Sequence, residues 1–572
     1  MEPLLQVEHL SVSFSTEQGR MQALDDVSFH VMQGEVLAIV GESGSGKSVT
    51  ALSVLGLLPS PPAKIDGGRI LFSPGGAIPT DLAGMDRKRI SAVRGKHISM
   101  IFQEPMTSLN PVKTCGEQVA EVIRCHEGCT AKEAKQKTIR LFDRVRLPSP
   151  ASMYGRFPHQ LSGGQKQRIM IAIAMSCRPD LLIADEPTTA LDVTVQKAIL
   201  ELIRGLQRED RMGVMFITHD LGIVSEIADR VLVMYKGRIV ETGPANEVLT
   251  HPRHPYTRAL LACRPGLQPK GTRLPVVSDF IREDDPPLAA QPRKDVMPDK
   301  TSAKALPETS QPIMEVQNLR VWFPGGTGKE MVKALDDISF SIQEGETLGL
   351  VGESGCGKTT LGRTLLGLIR PSKGSILFRG HDLAHIPADE WKKRRKELQI
   401  VFQDPYGSLN PRMTIGKAIE EPLLVHGSIT TQKQRRDKVV ELLEKVDMKA
   451  AHFHRYPHEF SGGQRQRIGI ARALALDPGF IVFDESVSAL DVSVQAQVLN
   501  LLNDLKNTLG FTAIFISHDL SVVHHISDRI IVMQEGHIIE SGTADGIFHH
   551  PKEPYTRALV EAIPGKALNR WA

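Results

Sequence analysis

Short, uninterrupted apolar runs alternate along the chain with longer stretches whose apolar residues recur at helical spacing. The runs at 36–40, 181–184 and 214–217 read VLAIV, LLIA and VMFI. Strands buried on both faces of a sheet show such continuous runs. The alternation predicts an α/β fold in which a mostly parallel sheet is covered by helices.

Between Gln103 and Ser162 the pattern becomes helical. Thr130 is followed three residues later by Glu133. This spacing is typical of a capping box, in which the two side chains satisfy free amides at a helix start. We therefore predict an amphipathic helix after Thr130, within a helical subdomain inserted into the α/β core.

The second half of the chain repeats the first. The offset between matching residues falls from 311 at Gly41/Gly352 to 300 at Gln103/Gln403, so the first copy carries 11 extra residues between these points. The offset is then 299 for Ser162/Ser461, Asp185/Asp484 and His219/His518. Such long self-similarity indicates a duplicated domain.

A proline-rich stretch separates the copies. Residues 266–312 contain eight prolines and few large apolar side chains, which favours an extended tether. We predict a first domain at 1–265, a linker at 266–312 and a second domain at 313–572. The apolar segment 274–280 is expected to pack back on the first domain.

Composition removes several classes of function. The net charge of +3 lacks the strong basic bias of nucleic-acid-binding proteins. No apolar run reaches the roughly 18–20 residues of a membrane helix, and the N-terminus does not resemble a signal peptide, so we expect a cytoplasmic chain.

The six cysteines form no disulfide-like framework. Cys125 and Cys129 leave open a metal site, although a loop between helices is the simpler interpretation.

Two glycine-rich loops, 41–48 (GESGSGKS) and 352–359 (GESGCGKT), each follow an apolar run. In such a loop the backbone amides converge on phosphate oxygens at a helix start. Lys47 and Lys358 are expected to reach the β- and γ-phosphates, and Ser48 and Thr359 to hold Mg²⁺. The alternative, a glycine-rich turn with a chance lysine, does not explain two copies in the same context.

Acidic pairs end later apolar runs. Asp185 and Asp484 are expected to hold the Mg²⁺ shell of a bound nucleotide. Glu186 and Glu485 follow directly, where a carboxylate can orient and deprotonate the attacking water. An exposed acidic turn is the alternative, but the fixed order of motifs in both copies favours the catalytic interpretation.

Histidine and glutamine complete each set. His219 and His518 each lie 34 residues beyond the aspartate, after an apolar run, and are expected to contact the γ-phosphate. Gln103 and Gln403 suit contact with Mg²⁺ or water.

A second anion-binding element occurs in each copy. Ser162, Gly163, Gly164 and Gln165 precede a basic helical run, and Ser461, Gly462, Gly463 and Gln464 repeat them. Glycines at a helix start present free amides to an anion. Two phosphate-binding elements on distinct segments suggest one nucleotide held from both sides by two domains.

These ordered motifs resemble those of ATP-binding-cassette ATPases, over both halves of the chain. The resemblance implies two P-loop NTPase domains in tandem, paired head to tail, with the signature serine of one copy covering the ATP of the other. It makes Asp192 and Asp491 the D-loop residues and places Phe14 and Phe323 where an aromatic ring stacks on adenine, although both also fit a strand core. The implied ATP-binding residues are Gly41, Ser43, Gly44, Gly46, Lys47, Ser48, Gly352, Ser354, Gly355, Gly357, Lys358, Thr359, Ser162–Gln165 and Ser461–Gln464.

A narrower resemblance is to the importer ATPases of the dipeptide, oligopeptide and nickel group. It rests on the segments 102–111 and 402–411 and on the repeated Pro-Tyr-Thr-Arg-Ala-Leu at 255–260 and 554–559. Phe460 replaces the usual signature leucine, a change we expect to be harmless, and Ser486 stands where the first copy has Pro187. The cysteine cluster that binds iron–sulfur in some relatives is missing, so no such cluster is expected.

The resemblance implies ATP hydrolysis, with ATP and Mg²⁺ as cofactors, coupled to import of dipeptide, oligopeptide or glutathione-like cargo. The expected partners are two transmembrane permease subunits and, indirectly, a substrate-binding protein, with the chain peripheral at the cytoplasmic face of the inner membrane. The alternatives are a twin-cassette ATPase acting on ribosomes or DNA, and an importer ATPase for nickel or another small solute.

Overall fold

The computed structural model describes residues 2–16, 19–103, 108–189, 191–281, 312–325, 331–427, 429–488 and 490–565. Each copy contains one large sheet and one small antiparallel sheet. The described part of the chain therefore confirms the α/β architecture predicted from the alternating pattern. Glu104–Thr107 and most of the predicted linker, 282–311, lie outside the described residues.

The strands described in the first copy are β1 Leu5–Thr16, β2 Gly19–Val31, β3 Val36–Val40, β4 Ala63–Phe72, β5 Thr80–Asp81, β6 Ile98–Ile101, β7 Leu181–Asp185, β8 Gly213–Thr218, β9 Arg230–Tyr235 and β10 Arg238–Pro244. The large sheet has the order β10-β9-β3-β8-β7-β6 and is parallel except for β10. The small antiparallel sheet has the order β2-β1-β4-β5.

The described helices of the first copy, through the segment that follows it, are α1 Lys47–Val54, α2 Arg87–Val93, α3 Cys115–Glu127, α4 Ala131–Arg144, α5 Pro150–Met153, α6 Gly163–Met175, α7 Val193–Asp210, α8 Leu221–Ile227, α9 Ala245–Thr250, α10 Pro255–Ala262 and α11 Val277–Phe280. Helices α3 to α6 share a buried apolar core with β6. Helices α3 to α5 lie in the stretch predicted to be a helical insert, and α6 extends this subdomain beyond Ser162.

The second copy repeats this order. Its strands are β11 Pro312–Phe323, β12 Val332–Gln343, β13 Thr347–Val351, β14 Lys373–Phe378, β15 His381–Asp382, β16 Leu398–Val401, β17 Phe480–Asp484, β18 Thr512–Ile516, β19 Arg529–Gln534 and β20 His537–Thr543. Its helices are α12 Lys358–Leu365, α13 Ala388–Arg394, α14 Pro405–Ser408, α15 Ile415–His426, α16 Gln432–Lys445, α17 Gly462–Leu474, α18 Val492–Leu509, α19 Leu520–Ile526, α20 Ala544–His549 and α21 Pro554–Glu561.

The predicted helix start at Thr130 is confirmed. The Thr130 hydroxyl accepts from the Glu133 amide, and the Glu133 carboxylate accepts from the Thr130 amide at 2.8 Å. Helix α4 buries Ala134, Leu141 and Phe142 on one face. Capping and the apolar stripe together explain why this segment is helical.

The segment after the first copy is attached to both copies. Leu274 and Val276 join the apolar core of the second copy, whereas Ile281 packs in the first. Asn500 on α18 accepts from the Leu274 amide at 2.9 Å and donates to the Leu274 carbonyl at 2.8 Å. The expectation that 274–280 packs on the first domain is therefore wrong for Leu274 and Val276, because the buried Asn500 supplies the partners that the Leu274 backbone needs.

Replacement of Asn500 by Ala tests this attachment. We expect the free energy of unfolding to fall by about 1–3 kcal/mol, because the buried Leu274 amide and carbonyl lose their partners. A lower urea midpoint for Asn500→Ala than for Asn507→Ala, an exposed position on the same helix, is the expected result. Equal midpoints would show that this contact does not hold the segment.

Candidate functional site

The large sheet places the predicted site residues at the carboxyl ends of neighbouring parallel strands. The phosphate loop follows β3, Asp185 ends β7, and His219 directly follows β8. The strand order puts β8 between β3 and β7. In open α/β sheets ligands bind at this edge.

The phosphate loops open α1 and α12 as predicted. Gly46 and Gly357 precede these helices with φ of 103° and 106°, a conformation that a side chain would strain. Lys47 Nζ donates to the Gly41 and Glu42 carbonyls at 2.7 and 2.9 Å. Lys358 repeats both bonds with the same distances. Each ammonium group is therefore held beside its loop.

A hydroxyl and a carboxylate lie side by side at each loop. Ser48 Oγ is 3.2 Å from Asp185 Oδ1, and Thr359 Oγ1 is 3.0 Å from Asp484 Oδ1. Burial raises the pKa of Asp185 to about 6 and also raises that of Asp484. These paired oxygen donors are the ligand type that Mg²⁺ prefers, and a bound cation would favour the ionised carboxylates.

The two glutamates adopt a backbone conformation that is uncommon for side-chain-bearing residues. Glu186 and Glu485 have φ of 47° and 46°. Such conformations cost on the order of 1–3 kcal/mol and occur often at functional sites. The Glu186 amide donates to the Ile217 carbonyl, and the Glu485 amide to the Ile516 carbonyl, each at 3.0 Å. These bonds to the neighbouring strand fix both turns.

Glutamine and histidine converge on the first glutamate. Gln103 Nε2 donates to Glu186 Oε2 at 3.0 Å, and His219 Nδ1 lies 3.2 Å from Glu186 Oε1. Burial opposes ionisation of Glu186, but contact with His219 and the charges of His219 and Lys47 outweigh it and lower the pKa to about 2. Glu186 is therefore ionised, and Gln103 and His219 each contact one of its carboxylate oxygens.

The second glutamate has the same neighbours at slightly different distances. Gln403 Nε2 donates to Glu485 Oε2 at 2.7 Å, and His518 Nδ1 lies 3.6 Å from the same oxygen. Burial raises the pKa of Glu485, but contact with His518 and the charges of His518 and Lys358 outweigh it, so the net shift is downward. One hydrogen bond distinguishes the copies: Thr189 donates to the Glu186 carboxylate at 2.9 Å, whereas Ser488 donates to the Glu485 backbone carbonyl.

The signature serines cap the helices that follow them. Ser162 accepts from the Gln165 amide at the start of α6, and Ser461 accepts from the Gln464 amide at the start of α17. Both serines are exposed. A Cβ at Gly164 would clash with Val195, which explains glycine at this position.

The two copies meet at their phosphate loops. The Ser43 amide donates to Asp491 Oδ2 at 3.0 Å, and the Ser354 amide donates to Asp192 Oδ1 at 2.8 Å. Asp491 Oδ1 also lies 3.8 Å from His219 Nδ1. The D-loop aspartate of each copy therefore contacts the phosphate loop of the other.

The remaining candidate residues occupy different environments. Phe14 packs partly against the core, while the Phe323 side chain is 40% exposed at the end of β11. Phe460 is buried, as is Leu161 in the first copy.

Cys125 lies within α3, and Cys129 in the turn before α4. Within the described ranges, the only group of three side chains placed for metal binding is His524, Asp545 and His549.

Sequence reasoning missed two sets of residues at the loops. Tyr256 and Tyr555 bond the backbone of Glu42 and Glu353, and Ser493 and Thr194 reach the same glutamates from the opposite copy. The repeated Pro-Tyr-Thr-Arg-Ala-Leu motif marked the tyrosines, but spacing does not show which residue they contact.

The fold and the site define a protein with two nucleotide-binding ATPase cassettes in one chain. A family model described as "ABC transporter" matches residues 24–189 and 335–488. A second, described as "Oligopeptide/dipeptide transporter, C-terminal region", matches residues 240–280 and 539–569. The chain belongs to the ABC transporter ATPase family, whose members bind and hydrolyse ATP.

Relatives with both cassettes match almost the whole chain. It is 48% identical over 567 residues to the "Glutathione import ATP-binding protein GsiA" of Escherichia coli (strain K12), covering 98% of this chain and 89% of the relative. The proteins of that name from Salmonella typhimurium and Pectobacterium atrosepticum are 48% and 46% identical, with the same coverage.

Replacement of Lys47 and Lys358 by Ala tests the two loops. We expect ATP affinity to fall roughly 10- to 100-fold, because each site loses a charged contact to phosphate. Equilibrium binding of MgATP measures the effect, with the exposed pair Lys88→Ala and Lys392→Ala as control. Wild-type affinity in the loop variant would contradict the assignment.

Proposed function

We propose that this chain is the ATP-hydrolysing subunit of an importer for small peptides, of the dipeptide, oligopeptide or glutathione type. The observation that carries the proposal is the pairing of two complete sets of ATPase residues with two copies of the oligopeptide/dipeptide transporter C-terminal region. The relatives are glutathione import ATP-binding proteins, which supports the same cargo class.

Each site contains the groups that ATP hydrolysis requires. We assign phosphate binding to the loops with Lys47 and Lys358, and water activation to Glu186 and Glu485. The short contacts from Gln103 and His219 to Glu186 support this role, because they hold the carboxylate in one orientation and a general base must be positioned on its water. His518 and Gln403 serve Glu485 in the same way.

Mg²⁺ fits beside each loop. Ser48 with Asp185, and Thr359 with Asp484, would hold it. We assign Gln103 and Gln403 to its water shell, although their hydrogen bonds in this structure go to Glu186 and Glu485. When bound, the ion neutralises charge on the phosphates.

We further propose that the two composite sites close head to tail, so that Ser162 covers the ATP held by Lys358 and Ser461 covers the ATP held by Lys47. The reciprocal contacts of Asp192 with Ser354 and of Asp491 with Ser43 support this pairing. The boundaries we propose are 1–265 and 313–572 for the domains and 266–312 for the connecting segment.

We propose that the chain binds two permease subunits at the cytoplasmic face of the inner membrane, and that a substrate-binding protein delivers the cargo to these permeases. No helix in the described ranges is both long and apolar enough to cross a bilayer. We therefore expect membrane association to require the permeases. Cell fractionation with and without the permease genes measures this, and association that survives both permease loss and a high-salt wash would contradict it.

Uptake of labelled glutathione and labelled dipeptides tests the function itself. Cells that lack the chain should regain ATP-dependent uptake with the wild-type protein but not with Glu186→Gln/Glu485→Gln. Copurification with ribosomes or DNA instead of permeases from detergent-solubilised membranes would favour the other twin-cassette class. Uptake of nickel without uptake of either peptide would instead identify nickel as the cargo.

A further inference from the structure

The C-terminal region of each copy holds a tyrosine against the phosphate loop. Tyr256 lies at the start of α10 and is fully buried, and Tyr555 occupies the same place in α21. Both belong to the repeated Pro-Tyr-Thr-Arg-Ala-Leu segment. Neither is assigned to phosphate, Mg²⁺ or water by the chemistry described above.

At the first loop the tyrosine hydroxyl makes two bonds to one residue. The Glu42 amide donates to Tyr256 Oη at 2.9 Å, and the hydroxyl donates to Glu42 Oε2 at 3.2 Å. The other oxygen of this carboxylate accepts from the Ser493 hydroxyl of the second copy. Glu42 is therefore held between its own C-terminal helix and the opposite copy.

The second loop has a corresponding arrangement. The Glu353 amide donates to Tyr555 Oη at 3.1 Å. The Glu353 Oε1 atom accepts from the Thr194 hydroxyl of the first copy at 2.6 Å. Ser493 and Thr194 each lie two residues after the D-loop aspartate that contacts the next loop residue. The opposite copy thus contacts two consecutive residues of each loop.

These bonds occupy backbone amides in the first half of the phosphate loop. The Glu42 amide is taken by Tyr256, the Ser43 amide by Asp491, and the Ser45 amide donates to the Glu42 carbonyl at 3.1 Å. The amides of Lys47 and Ser48 lie in the first turn of α1, where backbone amides have no carbonyl to bond within the helix and can bind an anion. Lys47 Nζ also donates to the Glu42 carbonyl at 2.9 Å, so bonds that hold Glu42 in place also hold the partner of this ammonium group.

We propose that Tyr256 and Tyr555 are positioning residues of the ATP sites, each joining its C-terminal segment, its phosphate loop and the opposite copy through Glu42 or Glu353. The proposal rests on the ATPase function proposed above. Loss of the hydroxyl leaves the loop less ordered for MgATP and weakens its link to the opposite copy. The C-terminal region thereby contributes to nucleotide affinity without touching the nucleotide.

Tyr256→Phe tests this in a Glu485→Gln background, where only the Lys47 site turns over. We expect the KM for MgATP to rise roughly tenfold, the size of a buried hydrogen bond, with kcat within about threefold of its parent. A merely structural defect would instead lower kcat through loss of active molecules and leave KM unchanged. Tyr235→Phe is the matched control: its ring lies next to that of Tyr256, with 4.4 Å between centroids. Of these two tyrosines, Tyr256 is the one whose hydroxyl bonds Glu42.

A double-mutant cycle provides the second readout. Tyr256→Phe and Ser493→Ala act through the same Glu42 carboxylate, so their effects on KM should be less than multiplicative. Tyr256→Phe and Thr194→Ala act on different loops, and their effects should multiply. An unchanged KM in Tyr256→Phe, or equal coupling in both pairs, would overturn the positioning role. A wild-type protein without ATPase activity would overturn the proposed function instead.

Discussion

Glu186→Gln and Glu485→Gln together should reduce steady-state ATP turnover by about 10²- to 10⁴-fold, the usual contribution of a positioned general base. Each glutamate lies in hydrogen-bond reach of a glutamine and close to a histidine, on a backbone turn fixed by the neighbouring strand. Glutamine keeps the size of the side chain but cannot accept a proton from water. ATP binding should therefore persist in the double variant.

Single variants separate the two sites. Each should retain the turnover of the unaltered site, because both copies possess the lysine, the Mg²⁺ hydroxyl, the carboxylates and the histidine. Glu121→Gln, an exposed position on α3, controls for the substitution itself. If one single variant kept wild-type activity while the other were inactive, the sites would not be equivalent.

The sequence was sufficient for the parts of the fold that have a local pattern. The apolar runs predicted β3, β7 and β8, because strands buried on both faces of a sheet consist of consecutive apolar residues. The capping box predicted α4, because its two residues lie only three positions apart. The small antiparallel sheets were not predicted. Their long strands contain several bulges that break the alternation of apolar and polar residues.

Contacts between distant segments of the chain explain the other features that the sequence did not predict. The sequence around Leu274 is apolar and is compatible with packing against either copy. The hydrogen bond to Asn500 holds Leu274 against the second copy. Tyr256 was visible as a repeated residue, but its partner Glu42 lies 214 positions away. The candidate site residues could be named from the sequence for a different reason: they occur twice in the same order, and Asp185, His219 and their counterparts follow or end apolar runs.

Substitution of the signature serines should act on the opposite copy. Ser162→Arg introduces a bulky charge at the exposed start of α6, and Ser461→Arg does the same at α17. If each ATP is enclosed by both copies, Ser162→Arg impairs the Lys358 site and Ser461→Arg the Lys47 site. The contacts of Asp491 with Ser43 and of Asp192 with Ser354 are those that this proposed pairing requires.

The most direct test measures ATPase rates of these arginine variants in single-site backgrounds. In Glu186→Gln, where only the Lys358 site turns over, Ser162→Arg should abolish the remaining activity while Ser461→Arg retains most of it. In Glu485→Gln the outcome should reverse. Loss of activity in the same copy as the substituted serine, in both backgrounds, would contradict a head-to-tail pair of composite ATP sites.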